Sequence, residues 1–270
     1  MPATAFRMFF LPAASAGMAR SYIHRNAATS YMTDATALDS FLDKWRSRWP
    51  EWGVAEVFVP REQRRLALAW FALLQEFTDA MNIAGDPLPA DAKLAWWGEE
   101  LRDWNRQRSR HPLGRVLEPH RAPWFELAEA LPVLIELRAR PAGEHAAFDS
   151  ALPLARAIGA VERALFGPHE RMADWTPSIA AQLLASRLEA SGDAALPARV
   201  GDGPPVPQEE WARTLLRHWP EHSGGPLPRR IYGALARSQL QRFRGAGSDA
   251  MATLSPPQAL WLGWRAARRA

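Results

Sequence analysis

Residues Leu66 to Pro119 read LALAWFALLQEFTDAMNIAGDPLPADAKLAWWGEELRDWNRQRSRHPLGRVLEP. Leu66, Trp70, Leu73, Phe77 and Met81 recur at steps of three and four. That spacing makes one apolar stripe and predicts an amphipathic helix over 64–82, ended by Gly85-Asp86-Pro87. Leu94, Trp97, Leu101 and Trp104 repeat the pattern and predict a second helix over 91–108, with His111-Pro112 as the break after it.

The same period extends outward. Leu38, Phe41, Leu42 and Trp45 predict a helix over 37–49 that stops at Pro50. The apolar link 54–60 is ambiguous. Further helices are predicted over 124–138, 148–166, 177–190, 208–219, 228–244 and 256–268. Thr176-Pro177 and Ser255-Pro256 have the form of an N-cap followed by Pro at the first helical position. Glu209 and Glu210 place acids in a first turn, where the helix dipole favours them. Gly167-Pro168 and Gly245 read as stops. No alternating strand pairs and no repeat appear. The loop 197–207 is the one candidate linker and is too short to mark a boundary. The expected fold is therefore all-α, in one domain over 32–270.

Composition agrees with a folded domain. The chain has 270 residues, 47% of them hydrophobic and 23% charged, which argues against global disorder. The absence of Cys excludes disulfides, Cys-bound zinc, Cys-ligated iron–sulfur clusters and a Cys nucleophile. No heme is expected either. The formal net charge is +4, and all but two of the 33 basic residues are arginine. Those arginines, more than any polybasic surface, set the isoelectric point near 10.1. Residues 1–31 hold three Arg and no acid, and so do residues 265–270; without these ends the body is close to −2. No nucleic-acid partner is expected, because the basicity lies at the chain ends. Those basic ends suit peripheral contact with an anionic membrane surface.

The longest apolar stretch, Leu66 to Leu74, is too short to span a bilayer, which takes roughly 20 residues. Residues 1–31 read as an N-terminal extension, either disordered or placed before a true start at Met32. The run FFLPAASAG loosely resembles a signal or transit segment, but it is short and Pro12 interrupts it. The expected location is the cytoplasm, with association at a membrane surface as an option.

Common catalytic motifs are missing: there is no Walker loop, GxGxxG or GxSxG. His218 and His222 stand four apart, but Pro220 between them argues against a helical metal pair. Arg229-Arg230 and Arg268-Arg269 read as solvated faces, with contact to phosphate or anionic lipid as the alternative.

Lys93-Leu94-Ala95-Trp96-Trp97, then Glu99-Glu100-Leu101, then His111-Pro112 through Leu117, resemble the squalene/phytoene synthase family. Ile231-Tyr232, Leu235, Gln241 and the closing LSPPQALWLGWRA resemble that family's last two helices. The resemblance covers most of residues 38–266 and is poor in the middle. It implies a helical bundle of the isoprenoid synthase type around a central cavity. It also implies two facing Asp-rich helices that hold Mg²⁺ against a diphosphate.

The sequence departs from the family there. Aligned on the Trp pair, the first motif falls on Thr78-Asp79-Ala80-Met81-Asn82, so the i, i+4 pair is neutral. The family's upstream Arg reads as Gln75. The second motif falls between Gln182 and Pro197, where the Asp cluster is shortened or missing. In one register Glu189 and Asp193 replace it; in another, Asp193 stands where the family has Arg. Candidate metal ligands are therefore Glu76, Asp79, Glu189 and Asp193, and candidate substrate contacts are Gln75, Thr78, Asn82 and Gln182. A solvated helix surface is the alternative for the four acids. No catalytic residue is assigned.

Three functional readings follow. One is a family member with weak or lost prenyl transfer that acts as a binding or assembly protein, as in a complex I assembly branch that also lacks the Asp-rich motifs. Another is an active Mg²⁺-dependent transferase that joins two farnesyl or geranylgeranyl diphosphates and releases pyrophosphate. The third is a carrier of a prenyl or other isoprenoid lipid, with Trp and Leu lining the cavity. Core packing is the expected role of any single Trp.

Overall fold

The computed structural model describes residues 37–167, 174–198, 207–221, 224–243 and 254–268. The N-terminal extension, His222, Gly245 and most of the 197–207 loop lie outside these residues. Among the described residues the chain is all-α, with no strand. No helix among them is long and apolar enough to cross a membrane.

Helix α1 covers 37–48. Pro50 does end it, but the same proline then opens α2 (Pro50–Ala55), where its missing N–H costs nothing at a first helical position. A 3₁₀ turn, Glu56–Phe58, completes the ambiguous link. The two deciding helices are α3 (Arg61–Met81) and α4 (Leu88–Trp104), both starting three residues earlier than predicted, just after Pro60 and Pro87. Helix α4 stops four residues short of the expected end. The buried Glu100 carboxylate accepts the backbone N–H groups of Arg110 (2.6 Å) and His111 (2.8 Å), which folds the next segment back. Gln107, at φ 58, makes that turn.

The predicted helix 124–138 breaks at Pro132 into α6 (Trp124–Ala130) and α7 (Val133–Glu136), after the short α5 (Gly114–Leu117). Helix α8 (Glu144–Phe166) keeps Pro153 inside it and is followed by α9 (Thr176–Ser191). Thr176 is the first helical residue rather than the cap; the Asp174 carboxylate receives its N–H at 2.9 Å. Helices α10 (Gln208–His218), α11 (Leu227–Leu240) and α12 (Pro256–Arg268) complete the bundle.

Most Trp residues are core. Trp45, Trp52, Trp70, Trp97, Trp104, Trp124, Trp175 and Trp219 are fully buried. Trp45, Trp52, Phe71 and Tyr232 form one ring cluster, with Phe71 and Tyr232 at 4.4 Å. Such ring contacts add about 0.5–1.5 kcal/mol per pair beyond area burial. Gly225 sits at φ +95, where an added Cβ would stand 2.9 Å from the Trp175 ring; the turn into α11 depends on that missing side chain.

Candidate functional site

Helices α3, α8, α9 and α11 enclose a cavity of about 480 Å³, with α1 and α7 contributing at its edge. Its apolar wall includes Leu74, Phe77, Leu134, Leu154, Ile158, Ile179 and Leu183. Gln75, Thr78, Asp79 and Asn82 face it from α3, and Gln182 and Glu189 from α9. Positions 75, 78, 79 and 82 share one helical face by their i, i+3, i+4, i+7 spacing, and 182, 186 and 189 do so on α9.

Two expected metal ligands do not join this cavity. Glu76 lies 100° around α3 from Gln75 and pairs instead with Lys44 (3.4 Å) and Lys93. Burial pushes its carboxyl up, but the two ammonium groups outweigh that and hold it below the usual carboxylate range. Asp193 falls past the end of α9. Gly192, at φ +51, turns the chain into a 3₁₀ segment, and Asp193 accepts a hydrogen bond from Gln208 at 2.7 Å.

The polar residues that do face the cavity are mostly occupied. Arg48 reaches Asp79 at 3.0 Å, and Gln75 donates to the same carboxylate at 2.9 Å. Thr78 donates to its own helix at the Leu74 carbonyl. Asn82 donates to Ser186 at 3.3 Å and accepts from Arg187 at 3.2 Å, tying α3 to α9. Glu189 differs: its carboxyl makes no hydrogen bond or ion pair among the described residues. Burial alone pushes it up to about 7.

These donors do not suit a Mg²⁺ cluster. Mg²⁺ takes several ionised, free oxygens in octahedral order. Thr78 and Asn82 are neutral and engaged, Asp79 is neutralised by Arg48, and Glu189 is the one other acid that lines the cavity. Among the described residues no group of three or more His, Asp or Glu could hold a metal ion.

Behind the cavity lies a network that the sequence reading missed. Glu162, fully buried on α8, accepts Trp70 Nε1 (2.8 Å) and Trp175 Nε1 (3.0 Å). Arg229 donates to both of its oxygens through Nε, at 2.8 and 3.0 Å, and to Gln182 through an Nη at 2.8 Å. Arg229 is thus a buried wall residue, not the solvated one expected. Its guanidinium also lies over the rings of Phe71 and Tyr232, 5.4 and 5.5 Å from their centroids. The signal was an acid on an apolar face: Glu162 follows Leu154 and Ile158 at helical spacing.

The most specific motif contributes packing. No residue of 93–117 lines the cavity. His111 packs 4.6 Å from Trp97 and 4.6 Å from Phe41, and burial lowers its pKa to about 4 against the opposing pull of Glu100 and Glu76. No family model, curated protein or solved structure matches the chain.

Proposed function

We propose that the chain binds an apolar, isoprenoid-type ligand in its bundle cavity without using a metal. The observation that carries this reading is the cavity itself: an apolar interior of about 480 Å³ whose one acid on α3, Asp79, is already matched by Arg48. Such a volume, mostly apolar with a few fixed polar groups, is typical of small-molecule sites. The squalene/phytoene synthase resemblance favours a prenyl chain as occupant and a bundle of the isoprenoid synthase type. An assembly role with a protein partner rests on that resemblance alone.

Filling the cavity tests the reading. Ala185 lines it from α9. Ala185→Trp is expected to weaken farnesol binding at least about tenfold, while overpacking costs only about 1–3 kcal/mol of stability. Titration by intrinsic fluorescence gives the affinity, and circular dichroism checks the fold. Unchanged farnesol affinity in the folded variant would place the site elsewhere.

Peripheral membrane contact has its own support on α12. Trp261 and Trp264 are 52% and 43% exposed and lie on one outer stripe with Leu260. Arg265 and Arg268 lie over those rings, and the helix carries no acid. Rings beside guanidinium groups suit the headgroup layer of an anionic bilayer. Co-sedimentation with vesicles of phosphatidylserine and phosphatidylcholine is expected to fall severalfold in Trp261→Ser/Trp264→Ser. Equal sedimentation of both proteins would remove α12 from this role.

A further inference from the structure

The charged side chains that line the cavity do not balance. They are Arg48 from α1, Asp79 from α3, Glu189 from α9 and Arg229 from α11. Arg48 is matched by Asp79, and Arg229 by the buried Glu162 behind the wall. Glu189 alone has no counter-charge. Helices α7 and α8 bring only Leu134, Leu154 and Ile158 to the cavity, and Trp219, just after α10, adds an indole. The Tyr232 hydroxyl also feels the Glu189 charge, and burial pushes its pKa well above the usual range, so it stays neutral. Trp49 and Tyr232 meet edge to face at 4.6 Å, and both rings line the cavity.

Three kinds of ligand head can be compared with this arrangement. A diphosphate would bring negative charge to an unpaired carboxyl, with both lining cations already engaged. A hydroxyl could bond to Glu189 but would leave its charge unmatched. An ammonium supplies the missing charge, donates hydrogen bonds to the carboxylate, and finds aromatic faces within the same cavity.

We infer that the ligand of this cavity is a lipophilic amine, its protonated head held by the Glu189 carboxylate and its apolar tail among Phe77, Ile158, Ile179 and Leu183. This rests on the binding function proposed above and names the head group of that ligand. No covalent step is involved. Binding ionises Glu189 and releases its proton where the empty cavity keeps it protonated.

The test compares farnesylamine with farnesol by fluorescence titration at about pH 5.5 and pH 8. The amine stays protonated at both values, as an alkylammonium titrates near 10. Its affinity is expected to rise about thirtyfold from the lower pH to the higher, because pH 5.5 lies about 1.5 units below the point at which the empty cavity releases the Glu189 proton. Farnesol affinity is expected to change less than about threefold. Glu189→Gln is expected to flatten the pH dependence of the amine and bring its affinity down to that of farnesol. Amine binding that ignores pH, or that survives unchanged in Glu189→Gln, overturns the inference. If farnesol still binds in that case, the cavity reading stands and only the head group is wrong. If neither ligand binds the wild-type protein, both fail.

Discussion

Replacing Glu162 with Ala is expected to destabilise the fold by about 3–5 kcal/mol, the usual cost of stripping one partner from a buried ion pair. Arg229 is only 2% exposed, so its guanidinium would be left in the interior facing two rings and one amide oxygen. Trp70 and Trp175 would each lose the acceptor of a buried indole N–H. Total stabilities run to about 5–15 kcal/mol, so this one change removes a large fraction. For a domain of this size the melting temperature should fall by roughly 6–20 °C. Arg229→Met alone should cost a similar amount, because it leaves Glu162 charged and buried. The double variant Glu162→Leu/Arg229→Met should cost much less than the sum of the two singles. Additive losses would mean that the pair does not act as a unit.

Glu189→Gln is expected to do the opposite, and only at higher pH. The folded protein holds the Glu189 proton up to about pH 7, whereas the unfolded chain releases it near 4.5. Between those values the folded state binds more protons, so this group's contribution falls as pH rises. The full loss is about 3 kcal/mol, reached above pH 7. The Gln variant carries no such charge and should be more stable than wild type at pH 8 by about that amount, and equal to it near pH 4.5. The wild-type curve alone hides the effect. His111, lowered to about 4 from 6.5, gains stability with rising pH over much of the same window. Denaturant melts of the two proteins across pH isolate the Glu189 contribution by difference.

How much of this was legible depended on which pattern carried it. Apolar stripes located the long helices, because helix burial repeats every 3.6 residues. Proline carries opposite meanings at two positions. Pro50 read as a stop but also starts α2, whereas Pro132 lay unread inside an apolar run and splits it. The cavity-facing set on α3 was legible because Gln75, Thr78, Asp79 and Asn82 share a face. Glu76, three residues before Asp79, reads as an adjacent part of that face, but it turns to the neighbouring one, among lysines. Asp193 required α9 to continue through Gly192, and the left-handed turn there ends the face. Arg229 and Arg230 looked like one basic surface, yet neighbours on a helix point about 100° apart, which is how one of them reaches Glu162. Pairing across 67 residues of chain leaves no local mark in a sequence.

The motif that carries the family resemblance was visible for a structural reason. Glu100, His111 and the Trp pair hold the turn after α4 against the core, and the cavity lies on other helices.

One calorimetric comparison tests metal-free binding of an apolar ligand. Farnesol and farnesyl diphosphate are titrated side by side, each with and without Mg²⁺. Saturable one-to-one binding of farnesol, indifferent to Mg²⁺, is expected, with weaker binding of the diphosphate that Mg²⁺ does not rescue. Tight diphosphate binding only with Mg²⁺, accompanied by pyrophosphate release that Asp79→Ala abolishes, would contradict it and establish a transferase.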